Sequence, residues 1–343
     1  AGRHHWRKTQ HLWYFTQTQL LDILTRSGFS DLVTDIPIPS KLVVYAKNHS
    51  IVSSKKILVL PGMGDIYWIM TKMEDFLLKK KIHVPQVYIW NFDSRPRSQN
   101  FVEKFPFVKF AGYCNDPVDK EILTDTYSTG KKWIVENYKE FDYYLSANGI
   151  LSTGSPLDHI RGYKTNWYVP MFESLEETNY GQEVRRLYGP YIVGFFSDMG
   201  MFSQWVKDMP APKIYGLLNR IYHETHKKII LTGCQWDIPL SSELLRLDSQ
   251  KILVDMVGHT TTAEILGLIR ASSGMIGWCG GNTIMSTVLK KPTIMFWSRR
   301  QFKYPKFFTN CCPPDSLNRW YFPNTVDKYN TNQIVGIAKK VFR

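Results

Sequence analysis

The sequence predicts an α/β protein built from two doubly wound domains. Three observations carry the prediction. Short apolar runs rich in branched residues alternate with helical patterns, two of those runs lead straight into glycine turns, and 343 residues are enough for two cores.

In the first half, Lys56-Ile57-Leu58-Val59-Leu60 reads as a parallel-sheet strand. It is followed by Pro61-Gly62-Met63-Gly64-Asp65 and a helical pattern from Ile66 to about Lys81, in which Trp68, Met70 and Met73 fall near helical spacing and read as core. Further strands are expected at Gln86–Trp90, Phe107–Phe110 and Asp142–Ala147, with helical material at Lys131–Lys139. A polar, arginine-containing stretch between Thr178 and Pro190 marks the expected boundary, giving a first domain over 56–183 and a second over 184–330. The second half repeats the theme. Strands are expected at Tyr191–Phe196, Lys228–Leu231, Ile252–Val254, Gly274–Gly277 and Pro292–Trp297, and helices at Ile214–Lys227, Thr262–Ala271 and Asn282–Leu289. Residues 1–55 form an extension without an assigned element. Residues 331–343 are expected to end in a helix, Asn332–Val341, that crosses back to pack on the first domain.

The formal charge is +13, and its placement is uneven. Residues 290–343 carry +9, with Trp297, Phe302, Tyr304, Phe307 and Phe308 interleaved among Arg299, Arg300, Lys303 and Lys306. Residues 1–55 carry the other +4, with Trp6, Trp13, Tyr14 and Phe15. Cations beside flat rings suit nucleic acid, nucleotide pyrophosphates or anionic lipid headgroups alike. Five cysteines without a C-x-x-C pair argue for free thiols over a disulfide framework or a zinc knuckle. No apolar run reaches the ~20 residues of a membrane span. With no apolar leader among the first residues, a cytoplasmic protein is expected, in the host cytoplasm if the source is viral.

Residues 251–298 hold the most specific pattern: Val254-Asp255-Met256-Val257-Gly258, a Thr260-Thr261-Thr262-Ala263-Glu264 helix cap, Gly277-Trp278-Cys279-Gly280-Gly281-Asn282-Thr283, then the strand led by Pro292. A glycine pair at a helix start lets backbone N–H groups approach a phosphate, and the helix dipole favours its charge. In this order the elements resemble the heptosyltransferase-like glycosyltransferases. In that family a G-x-D-[ST]-G-x-x-H turn opens the helix holding the donor diphosphate. Gly277, Gly281 and Pro292 match; Cys279, Gly280 and Ile284 stand where the family has Asp, Ser or Thr, and His. A family Lys near Ser203-Gln204-Trp205 is also missing, although Lys207 is close.

The resemblance implies the GT-B fold, two Rossmann-like domains facing across a cleft, and metal-independent, inverting transfer from a nucleoside-diphosphate sugar with no other cofactor. It makes Asp65 the catalytic base, against the plainer reading that Asp65 caps its helix. Donor contacts are expected from Gly233, Glu243, Gly280, Gly281, Asn282, Thr283, Arg299 and Arg300, and acceptor contacts from Gly62, Met63, Gly64, Asn148, Lys303 and Lys306. Glu243 near a helix start and the Asn148-Gly149 turn also have purely structural readings. The terminal charge and the altered donor turn favour hydroxymethylated pyrimidine DNA as acceptor, a substrate made by some bacteriophages, whose base must be flipped out of the duplex. The family's own precedent, lipopolysaccharide core, is the alternative, and a non-catalytic nucleic-acid-binding protein of this fold is a third reading. A nicotinamide-dependent oxidoreductase is excluded because Tyr67 fills the third glycine position after Gly62 and Gly64, and no P-loop is present.

Overall fold

The strand-forming runs assemble into two separate parallel sheets. The computed structural model describes residues 30–35, 43–47, 55–59, 63–90, 99–114, 139–145, 163–167, 175–196, 209–297, 313, 319–323 and 328–343. Within the N-terminal extension, β1 (Ser30–Asp35) pairs antiparallel with β2 (Val43–Lys47).

The first parallel sheet comprises β3 (Lys56–Val59), β4 (Gln86–Trp90), β5 (Lys109–Cys114) and β6 (Tyr143–Leu145) in the order β5-β4-β3-β6. Helix α1 (Met63–Lys80) follows β3, and the short α2 (Gln99–Val102) precedes β5. Strand β5 begins later than the Phe107–Phe110 run. Phe105 and Phe107 belong instead to an aromatic turn around Pro106, where Phe105 packs edge-on to Phe101 with ring centroids 5.3 Å apart.

The second sheet contains β7 (Tyr191–Phe195), β8 (Lys228–Thr232), β9 (Leu253–Asp255), β10 (Met275–Trp278), β11 (Thr293–Trp297) and β12 (Arg319–Pro323), ordered β12-β11-β10-β7-β8-β9. Numbered from β7, this is the 3-2-1-4-5-6 order of the Rossmann fold, with its switch point between β7 and β10. Its helices are α3 (Leu175–Tyr188), α4 (Ala211–Thr225), α5 (Ile238–Leu247), α6 (Thr262–Ala271), α7 (Gly281–Val288) and α8 (Lys328–Val341).

The stretch expected to be a polar boundary is the helix α3. Glu183, Arg185 and Arg186 are exposed, while Gly181 and Val184 are buried, Gly181 against α6. A side chain at Gly181 would collide with the Gly267 carbonyl, so the two helices meet backbone to backbone. The Tyr191 hydroxyl lies within bonding reach of the Leu268 carbonyl at 2.9 Å and the Gly181 carbonyl at 3.3 Å, fixing α3 and α6 to the start of β7. The expected junction at 183–184 therefore falls inside a helix of the second sheet's layer.

The C-terminal helix also departs from expectation. Instead of crossing to the first domain, α8 packs on α4 of its own domain through Ile334, Val335, Ala338 and Phe342, with Lys339 paired to Glu224 at 2.8 Å. The apolar stripe of α8 finds its partner there.

Successive residues of β7, β8, β10 and β11 feed different cores, as a pleat requires. Ile192, Ile229, Ile276 and Ile294 join the core under α4 and α8. Tyr191, Val193, Ile230, Met275 and Met295 face the other core, which continues without a break into Ile57, Val59, Tyr67, Met70 and Met73 of the first sheet and α1. Trp68 is buried there too. No helix among the described residues is long and apolar enough to cross a membrane.

Candidate functional site

The carboxyl ends of the two sheets meet at two helix N-termini. Strand β3 delivers α1, and strand β10 delivers α7. The two helices pack on each other, with Gly64 of α1 against Gly281 of α7. A Cβ built on Gly281 would lie 2.9 Å from the Gly64 nitrogen and 2.9 Å from Met63 Cβ; one on Gly64 would lie 3.2 Å from Gly281 Cα. A side chain at Gly281 would force a shift, and one at Gly64 would be tight. Two positive dipole ends are thereby brought together, and Asp65, half-buried in the first turn of α1, is the acidic side chain of that turn.

The turn into α7 is stiffened from within. Cys279 N–H donates to the Phe296 carbonyl at 2.8 Å, holding the turn to β11. The Thr283 hydroxyl accepts from Gly280 N–H at 3.0 Å, and its own proton is within reach of the Trp278 and Gly280 carbonyl oxygens at 2.9 and 3.0 Å. Gly280 is extended, a conformation open to any residue, but a Cβ there would sit 2.8 Å from the Phe195 ring. Thr283 is fully buried and its hydroxyl is used by the turn. The Thr283 side chain thus shapes the turn from beneath.

Asn282 links the cradle to the neighbouring strand. Its side-chain amide lies 3.5 Å from the Thr232 hydroxyl, which donates across to the Gly194 carbonyl at 3.2 Å. The ends of β7, β8 and β10 are thus tied together at the switch point, where open α/β sheets bind their ligands. Gly233 comes next, packed so closely on Asp237 that a Cβ would lie 2.8 Å from its carboxylate. Asp237, buried and accepting from Cys234 N–H at 2.8 Å, closes the turn before α5. Glu243 lies apart. It is exposed on α5, whose buried side is Leu240, Ser241 and Leu244, and it stands more than a turn beyond the helix start.

The structure therefore brings Met63, Gly64 and Asp65 together with Gly280, Gly281 and Asn282, with Gly233 beside them, and leaves Glu243 out. Gly62, Asn148, Arg299, Arg300, Lys303 and Lys306 lie outside the described residues. Reading the sequence missed Asp237 as the loop's anchor, although an Asp just ahead of Pro239 and an apolar helix was visible. It also missed Phe195, whose ring forces Gly280 to be bare. The predicted Thr261–Glu264 cap is present: Glu264 N–H donates to Thr261 Oγ1 at 3.2 Å and Thr261 N–H to Glu264 Oε2 at 2.7 Å. Cys114, Cys234 and Cys279 are free thiols. Among the described residues, no three His, Cys, Asp or Glu side chains cluster as metal ligands do.

The sequence matches no family model, and it matches no curated protein. Solved structures do share its architecture. The ADP-heptose lps heptosyltransferase II of E. coli superposes with a TM-score of 0.57 at 11% identity, covering 84% of this chain and 98% of that one. E. coli heptosyltransferase WaaC, solved with ADP, gives a TM-score of 0.50 at 10% identity over 83% of this chain and 99% of that one. At such identities the likeness shows the fold, which is GT-B. Nothing in these likenesses supports a DNA acceptor, DNA binding or a bacteriophage source.

Proposed function

We propose that this protein is a nucleotide-sugar-dependent glycosyltransferase. The observation that carries the reading is the meeting of the α1 and α7 N-termini through Gly64 and Gly281, with Asp65 in the first turn of α1, at the carboxyl edge of both sheets. The leaving group of such a reaction is a nucleoside diphosphate, and converging N–H dipoles are suited to its charge.

In the proposed step, an acceptor hydroxyl attacks the anomeric carbon of the donor from the face opposite the diphosphate. The new C–O bond forms as the bond from carbon to phosphate oxygen breaks, and the diphosphate departs with that electron pair. The hydroxyl proton passes to the Asp65 carboxylate, and the configuration inverts. Backbone N–H groups of Gly281 and Asn282 at the start of α7, in the turn that Gly280 sets, receive the diphosphate. Gly62, Asn148, Lys303 and Lys306 are proposed on the acceptor side, and Arg299 and Arg300 on the donor side.

For the acceptor, the structural neighbours favour a saccharide of the lipopolysaccharide-core type over hydroxymethylated DNA, because the two described above are a lps heptosyltransferase and a second heptosyltransferase solved with ADP. The test offers ADP-, UDP- and GDP-sugars with truncated lipopolysaccharide or with hydroxymethylcytosine DNA. Released nucleoside diphosphate and the mass of the acceptor are then measured. A sugar-sized increment on the lipopolysaccharide is expected, falling about 10²–10⁴-fold in rate in Asp65→Asn, the range for loss of a general base. An increment on the DNA alone would reverse the acceptor assignment. Release of diphosphate by no donor would defeat the enzyme reading.

A further inference from the structure

At the opposite edge of the second sheet, where its strands begin, the last turn of α3 and the loops before β8, β10 and β11 place cations side by side. Arg185 donates from Nη1 to the Ala271 carbonyl at 3.2 Å, and Lys291 donates from Nζ to the adjoining Ser272 carbonyl at 3.0 Å. Neither of these bonds is to a carboxylate. Lys227 and Arg270 flank them. Burial and the nearby charges of Arg185 and Arg270 hold the Lys291 amine below the ordinary lysine range, and burial with Arg185 does the same to Lys227. Arg185 is thus near enough to both lysines to act on their charge.

Helix C-termini attract cations in general, and the Arg185 and Lys291 bonds both end on carbonyls at the close of α6. That does not explain what stands beside them. In the same last turn of α3, directly after Arg185 and Arg186, Leu187 is 67% exposed and Tyr188 is 40% exposed. An aliphatic side chain in water amid cations, next to a tyrosine whose ring is amphipathic, is the composition of surfaces that lie in a lipid headgroup layer.

We propose that this edge, formed by Arg185, Lys227, Arg270 and Lys291 with Leu187 and Tyr188, docks the protein on an anionic phospholipid bilayer. The cations meet headgroup phosphates, and Leu187 and Tyr188 enter the interface. The inference does not depend on the transferase reading, since it concerns the pole of the molecule remote from the proposed donor cradle.

The test is co-sedimentation of the full chain with neutral phosphatidylcholine vesicles and with vesicles containing phosphatidylglycerol. Binding to the anionic vesicles alone is expected. Arg185→Gln/Lys227→Gln should lower the partition coefficient about 30-fold, the loss anticipated for two basic residues at a bilayer surface. Leu187→Ser, which removes an exposed side chain and spares every described hydrogen bond, should lower it severalfold with circular dichroism and melting unchanged. Lys213→Ser, an exposed cation at the other edge of the sheet, should leave partition unaltered. A loss of about 5-fold in Lys213→Ser, the share of one charge against the two of the double variant, would assign the binding to diffuse net charge and overturn the proposal. So would capture of duplex DNA, lost in the double variant, without capture of vesicles, which would identify the edge as a nucleic-acid surface.

Discussion

Gly64 and Gly281 show how little room single residues leave at the junction of the two sheets. Alanine at Gly281 puts a methyl group 2.9 Å from a backbone nitrogen and 2.9 Å from Met63 Cβ, neither of which is the yielding tip of a flexible side chain. Gly281→Ala is expected to cost about 1–3 kcal/mol in urea unfolding, as overpacking does. It should slow turnover as well, by parting the two helix starts. Thr283→Val tests a different term. The shape is kept, but Gly280 N–H loses its acceptor within the turn, so a loss of about 1–2 kcal/mol is expected from the same measurement. Both glycines were legible as a turn. Their mutual contact was not, because spacing within one segment says nothing about a partner more than two hundred residues away. The internal bonds of Thr283 were not legible for a related reason: a hydroxyl after a glycine pair looks the same whether it faces a ligand or its own turn.

Among the elements, α3 was hidden by its composition. Its outward face is charged enough to resemble a linker, and the inward face announces itself only through Tyr180, Gly181 and Val184. The long apolar patterns of α1 and α6 and the strands β3, β7, β8 and β10 were readable because their buried faces are continuous. Strand β6 is held differently. Asp142 at its foot accepts from Lys55 Nζ at 2.6 Å and from Lys56 N–H at 2.8 Å, while Asp142 N–H donates to the Lys56 carbonyl at 2.9 Å. These bonds, with the Lys55 charge, outweigh the cost of partial burial and hold the Asp142 carboxyl below its ordinary value of 3.8. A carboxyl lowered on folding contributes stability that is full above its unfolded pKa and fades as the pH falls through the folded one. Asp142→Asn is therefore expected to melt lower than the parent at neutral pH, with the gap closing below about pH 3.8. Melting curves from pH 7 to pH 2.5 check this.

The molecule as a whole has two sheets but not two independent cores. Residues from β3, α1, α6, α7 and β11 form one cluster, so exposing the first sheet strips apolar cover from the second. A single cooperative transition is expected in calorimetry, with van't Hoff and calorimetric enthalpies in agreement. Two resolved peaks would show that the cluster divides. The alternating strand and helix pattern announced a doubly wound architecture, and the sheet order adds what the pattern lacked, a switch point at β7 and β10 under the glycine turn.

The bare contact between Gly64 and Gly281 also makes the molecule open to a wedge. Two backbones touching here, with the Met63 and Ile284 side chains beside them, form a thinly padded joint, where a thin, flat compound only has to pry them apart by the thickness of a ring. Such a compound would act as a doorstop, jamming the halves ajar without resembling either the sugar donor or its acceptor. Because the diphosphate is proposed to bind at the start of α7, raising the donor concentration would work against it, while raising the acceptor alone would not.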